Sequence, residues 1–263
     1  MGMDTISTHY LTRIELNRDG IPDFSVYPFC IPAVRNLGTL DLHPKVTFLI
    51  GENGTGKSTL LEAIAVASAF NPEGGSRNLG FATRESHSQL CDHLRLRRGT
   101  TRPRDGYFLR AESFFNVATA IEKIDSDPDH NVPGRSAGPA IVNSYGGQTL
   151  HEQSHGESFL TLLTQRFRGN GLYLLDEPEA ALSPSRQMSV LSVMHDLIRR
   201  NSQFIIATHS PILMAYPDAV IYLFSNEAIT AIRYTETEHF AVTRDFLNRH
   251  EIMLDILLGG DSA

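Results

Sequence analysis

The stretch KVTFLIGENGTGKS, Lys45–Ser58, joins an apolar, β-rich run to a glycine-rich turn. Lys45–Ile50 has the composition of a buried strand and stops at a glycine. Residues 51–58 then fit G-x-x-x-x-G-K-[ST]. Thr59–Phe70 follows with helical spacing, placing Leu60, Leu61, Ile64 and Ala67–Ala69 on one side before Asn71-Pro72 stops it. Glycines let such a turn curl until successive N–H groups point inward at phosphate oxygens. The helix behind adds its positive N-terminal end. Lys57 is expected to reach the β- and γ-phosphates of a nucleotide, and Ser58 to place its hydroxyl on Mg²⁺. Glu52, Asn53, Gly54, Thr55, Gly56 and Thr59 complete the expected cradle. A glycine-rich turn can imitate part of this pattern by chance. Here every fixed position is filled, between a strand and a helix.

Leu172–Glu177 (LYLLDE) runs four apolar residues into two acids, the pattern of a buried strand delivering carboxylates at its C-terminal edge. Asp176 is expected to hold Mg²⁺ opposite Ser58, and Glu177 to polarise an attacking water. Alone, two acids after a strand are commonly solvated loop residues; the phosphate loop gives this pair a use. Elsewhere, Tyr10–Leu16, Tyr107–Ala111 and Gln203–Ala207 read as strands, and Ala219–Phe224 with Ile229–Tyr234 as a hairpin. Phe114–Ile124, Phe159–Phe167 and Arg186–Arg199 read as helices, and Phe240–Leu258 as one amphipathic helix closed by Gly259-Gly260. Asp125–Pro139 is rich in turn residues and reads as a mobile loop. Strands alternating with helices imply a mainly parallel sheet covered on both faces.

These motifs carry a family resemblance. Asp176–Ser183 (DEPEAALS) resembles the Walker B and D-loop stretch of ABC ATPases, and Thr208-His209-Ser210 resembles their H-loop. Ser154-His155-Gly156-Glu157, beginning 22 residues before Asp176, occupies the place of the ABC signature. Tyr107–Thr119 and HEQSHGESFL are similar to small stand-alone bacterial ATPases related to the SMC, RecF and OLD groups. The resemblance implies a single α/β P-loop NTPase domain of ABC ATPase type. It would have a mainly parallel central sheet, an antiparallel β subdomain, a helical signature subdomain at roughly 112–168, and a C-terminal hairpin and helices over 219–263. It also implies a head-to-tail dimer closed by ATP. Ser154, Gly156 and Glu157 would then meet the γ-phosphate held by the partner, and His209 would bind it in cis. The pattern departs at His155, where a glycine is usual, and at Glu157, where a glutamine is usual. Glu112 stands where the Q-loop glutamine is expected, as an acid able to orient water or touch Mg²⁺. Tyr27 and Phe29 are candidates to stack on adenine.

Net charge is −7, against a uniformly basic nucleic-acid binder. Between Arg77 and Arg110, however, eight arginines face three acids, a local +5 that leaves −12 for the rest. Such an island can meet phosphates or an acidic partner, or simply be a solvated face. Cys30 and Cys91 lie far apart without Cys-x-x-Cys spacing, and no apolar run approaches the ~20 residues of a membrane span. A cytoplasmic ATPase is therefore expected, with a separately encoded nuclease or effector in a nucleic-acid-related or defence role. The alternatives are the ATP-binding subunit of an ABC membrane transporter, or a regulator that binds ATP without turning it over. His151–His155 also fits the zinc-protease motif H-E-x-x-H. Gly156 and the lack of apolar neighbours argue against the stable helix that chemistry needs.

Overall fold

The computed structural model describes residues 9–76, 88–111, 119 and 155–259. The expected helix 114–124 apart from Thr119, the loop 125–139, Glu112 and Ser154 lie outside these residues, as do His151–Gln153 of the H-E-x-x-H run. The signature region is described from His155 onward.

Two sheets organise the described chain. Strands β1 (Leu11–Leu16), β2 (Thr39–Asp41) and β4 (Leu94–Arg98) form an antiparallel sheet in the order β2-β1-β4. The larger sheet takes β3 (Val46–Gly51), β5 (Asp105–Arg110), β6 (Gly171–Asp176), β7 (Gln203–Ala207), β8 (Ala219–Phe224) and β9 (Ile229–Ile232) in the order β5-β6-β7-β3-β8-β9. Its first five strands are parallel, and β9 returns antiparallel as the expected hairpin. Strands β3, β6 and β7 are buried at every residue. That accounts for their unbroken apolar runs, since helices cover both faces.

The helices are α1 (Pro32–Arg35), α2 (Lys57–Ala67), α3 (His155–Thr161), α4 (Pro184–Arg199), α5 (Pro211–Met214), α6 (Glu238–Asn248) and α7 (His250–Leu258). Ser183 caps α4 by accepting from the Arg186 amide. Two expectations change, and β4 arises in the polar stretch before Gly106, where the sequence pattern points to no element, pairing along β1. Phe159–Phe167 continues from α3 into a π-helical turn, Leu162–Arg166. The single helix over 240–258 is two, broken at Arg249, whose φ of −140° leaves the helical region. Neither α6 nor α7 fully buries a side chain, so packing does little to keep them collinear.

One side chain couples the sheets. Gln203, fully buried at the start of β7, accepts from the amides of Tyr10 and Leu11 at 3.0 Å each. Its Nε2 donates to the carbonyls of Leu11 (2.8 Å) and His43 (3.0 Å). Four backbone groups bond to this one amide. Gln203→Leu, similar in size, would orphan them and should cost about 3 kcal/mol or more in urea-unfolding free energy. A loss under about 1 kcal/mol would mean water or another side chain replaces the link.

Candidate nucleotide site

The site forms at the C-terminal edge of the parallel sheet, where β3, β6 and β7 end. Gly51 leaves β3 at φ +142°, and a Cβ there would collide with the Phe224 carbonyl of β8. Gly54 and Gly56 also take positive φ (+80° and +98°), closing the loop onto the first turn of α2. Glu52, Asn53 and Gly54 are exposed at its rim, Thr55, Gly56 and Lys57 are buried, and Ser58 and Thr59 are half-buried. Lys57 donates from Nζ to the carbonyls of Gly51 (2.8 Å) and Glu52 (2.7 Å), so its ammonium stays within the loop. Burial lowers its pKa, opposed by the charges of Glu177, Asp176 and Glu179. An anion in the cradle would relieve that penalty.

The acid pair arrives from β6. Ser58 Oγ donates to Asp176 Oδ1 at 2.8 Å, two hard oxygens at the end of a buried strand. The remaining Asp176 oxygen lies 3.7 Å from Arg110 Nε, whose guanidinium also bonds Glu62 on α2 at 2.6 Å. Glu177 turns out of the sheet in a left-handed conformation (φ 49°, ψ 51°), and Pro178 starts a short 3-10 turn. Its carboxylate stands 3.9 Å from His209 Nε2. Lys57, Ser58, Asp176, Glu177 and His209 are thus brought to one edge.

The segment after β7 is held by Glu179. Its carboxylate accepts from Thr208 Oγ1 at 2.7 Å and from the His209 amide at 2.5 Å. Burial raises the Glu179 pKa, while those two donors resist the rise. The ring of His209 meets His239, the second residue of α6, with Nδ1 and Nε2 3.2 Å apart. Beside this pair a cavity of about 690 Å³ opens between the phosphate loop, the β8–β9 hairpin and α6. Gly156 is buried in α3, where a Cβ would press on the Ala181 carbonyl and Arg186; Glu157 is exposed and bonds Arg186 at 3.3 Å. Phe29 is a core residue, edge-on to Phe24 and His93, whereas Tyr27 is exposed.

Arg110, Glu179 and His239 were not singled out from sequence. The third acid of DEPE is a local signal for Glu179. His239 lies 30 residues beyond His209 and has none. Among the described residues, no group of three or more His, Cys, Asp or Glu is arranged to hold a metal ion.

This is the P-loop fold of ABC-type ATP-binding cassettes, as the motifs led us to expect. Residues 121–215 match the model described as "AAA domain, putative AbiEii toxin, Type IV TA system", and residues 29–106 match an "AAA domain" model. The chain is 29% identical to a hemin import ATP-binding protein of Nocardia farcinica over 202 residues, 74% of this chain and 69% of that one. Its fold is similar to an inward-facing "putative metal-chelate type ABC transporter" (TM-score 0.52, 17% identity, covering 89% of this chain and 88% of that one). It is also similar to the ADP conformation of an ATP-binding cassette of an ABC transporter (TM-score 0.51, 17% identity, 94% and 98% covered). No described helix is long and apolar enough to cross a membrane.

Burial is the largest influence on His43, His209 and His239, and it lowers all three pKa values. The unfolded chain therefore takes up protons first, near the ordinary value of about 6.5. Stability is fully present above that pH and is lost as pH falls towards the folded values. Melting temperature should decline between pH 7 and 5, and His43→Gln combined with His239→Gln should flatten the decline. An equal slope in that variant would mean other groups govern it.

Proposed function

We propose that this chain binds Mg-ATP at the phosphate loop and hydrolyses it to ADP and phosphate. The observation that carries the reading is the convergence of Ser58 and Asp176, 2.8 Å apart, with Glu177 and His209 beside the loop of Lys57. Lys57 and the loop amides from Glu52 to Gly56 hold the β- and γ-phosphates. The paired oxygens of Ser58 and Asp176 suit a hard divalent cation, which when bound would neutralise charge on the phosphate oxygens. Glu177 orients the attacking water, and His209 donates to the γ-phosphate. Glu112 is the second acid proposed for the metal and water, and Tyr27 is the exposed aromatic available to adenine. Two copies close head to tail, with Ser154, Gly156 and Glu157 of each completing the other's site. Hydrolysis removes the shared γ-phosphate and reopens them.

For the work done by this cycle, we favour a separately encoded effector or nuclease and a nucleic-acid surface. The toxin–antitoxin description of the family model supports the first. Exposed Arg95, Arg97 and Arg98 along β4, with Arg102 and Arg104 after it, support the second. A second reading, the ATP-binding subunit of a membrane transporter, is favoured by the hemin-import relative. Copurification with an integral membrane protein would select it.

Glu177→Gln should slow hydrolysis on the order of 100-fold or more while retaining ATP. By light scattering it should double in mass only with Mg-ATP; a mass indifferent to ATP removes the trans roles of Ser154 and Gly156. If the arginines contact nucleic acid, binding should weaken with salt, and R95E/R97E/R98E should abolish it. Binding that survives the triple variant places the contact elsewhere.

A further inference from the structure

His239 has no counterpart among the motifs, yet it is the side chain that meets the ring of His209. The two imidazoles approach through His209 Nδ1 and His239 Nε2, 3.2 Å apart, with ring centroids 5.4 Å apart. The outer nitrogens, His209 Nε2 and His239 Nδ1, are buried without a hydrogen-bond partner among the described residues. Burial lowers the pKa of both rings, the nearby Lys57 charge adds to this, and His239 also sits in the positive first turn of α6. Each ring is therefore neutral at physiological pH, with one N–H to place.

Two arrangements give the pair its hydrogen bond. In one, His209 donates from Nδ1. Its bare Nε2 lone pair then faces the Glu177 carboxylate at 3.9 Å, and His239 is left with a buried N–H that meets no acceptor. In the other, His239 donates from Nε2. His209 then carries its proton on Nε2, towards Glu177 and the phosphate loop, and the orphan on His239 is only a lone pair. A buried orphan donor is rarer than an under-used acceptor, and an N–H beside a carboxylate is attracted where a lone pair is repelled.

We propose that His239 is a positioning residue, donating from Nε2 to His209 Nδ1 and so holding His209 as the Nε2–H tautomer. The inference rests on the proposed role of His209 at the γ-phosphate, for which only that tautomer can donate. The contact also ties α6 to the site. Because α6 and His209 both border the 690 Å³ cavity, the pair forms part of its wall next to the phosphate loop.

The test compares His239→Leu, which removes the donor, with His239→Gln, whose amide nitrogen stands near the Nε2 position. Nitrogen-15 spectra of histidine-labelled, nucleotide-free protein report the tautomer of His209 without any turnover. The wild type should show Nε2–H alone, H239L a mixture with Nδ1–H, and H239Q the wild-type state. In steady-state kinetics kcat should fall roughly tenfold to a hundredfold in H239L, with ATP affinity within a few-fold, and H239Q should restore it. Should H239L fail to fold, H239N, whose amide is too short to reach, replaces it. A wild-type His209 protonated on Nδ1, an unchanged tautomer in H239L, or equal losses in H239L and H239Q would overturn the inference. A wild-type protein that never hydrolyses ATP would overturn the proposed function instead, and the spectra would still decide the tautomer.

Discussion

The hydrogen bond from Ser58 to Asp176 is the contact on which the site geometry depends. It spans 118 residues of sequence and the full width of an intervening strand, because β7 lies between β3 and β6. It forms only if β3 and β6 end at the same level. The register secures this: Leu49 lies opposite Ala207, and Ala207 lies opposite Asp176. A shift by one residue would turn every buried side chain of these strands to the other face. The cost of that slip in a fully covered sheet is what holds the hydroxyl and the carboxylate together. The polar contact is thus held by the apolar core, and its own energy need not be large.

Around that contact the charges are arranged in alternation. Arg110 stands beside Asp176, and Lys57 lies in reach of the fields of Asp176 and Glu177. Glu62 and Glu179 then anchor Arg110 and the His209 backbone from outside. An alternating cluster tolerates burial because each charge has an opposite neighbour. It also explains why Glu179 sits in a half-buried position at all. Its two acceptor contacts replace the water it gives up, and they pin the turn that follows β7.

The parts legible in the sequence were those with a local physical signature. The G-x-x-x-x-G-K-S run, the apolar strands ending in acid or histidine, and the hairpin at Ser225–Glu227 each encode backbone geometry within a few residues. The parts not legible depend on distant pairing. β4 is arginine-rich, LRLRR, and becomes a strand because β1 supplies a partner across more than 75 intervening residues. Phe240–Leu258 keeps a helical period throughout, so periodicity could not reveal the break at Arg249. Gln203 reads as the polar start of an apolar strand, and nothing local says that it bridges two sheets. Phe29 offered an aromatic ring near the phosphate loop, but core packing against Phe24 and His93 claimed it.

Strand β7 then sets what can move. At its start Gln203 is bonded to the antiparallel sheet that bears the arginines; five residues on, it delivers Thr208 and His209 to the phosphate loop. A strand buried at every residue has one packed arrangement, so it fixes the distance between these ends and cannot relay a change by itself. The opposite wall of His209 is different. His239 comes from α6, a helix with no fully buried side chain, and such elements open at low free-energy cost. His209 therefore stands between a rigid strand that positions its backbone and a loosely docked helix that contacts its ring. If the proposed γ-phosphate contact of His209 alters anything beyond the loop, the physical route runs through its ring to α6. It does not run back along β7.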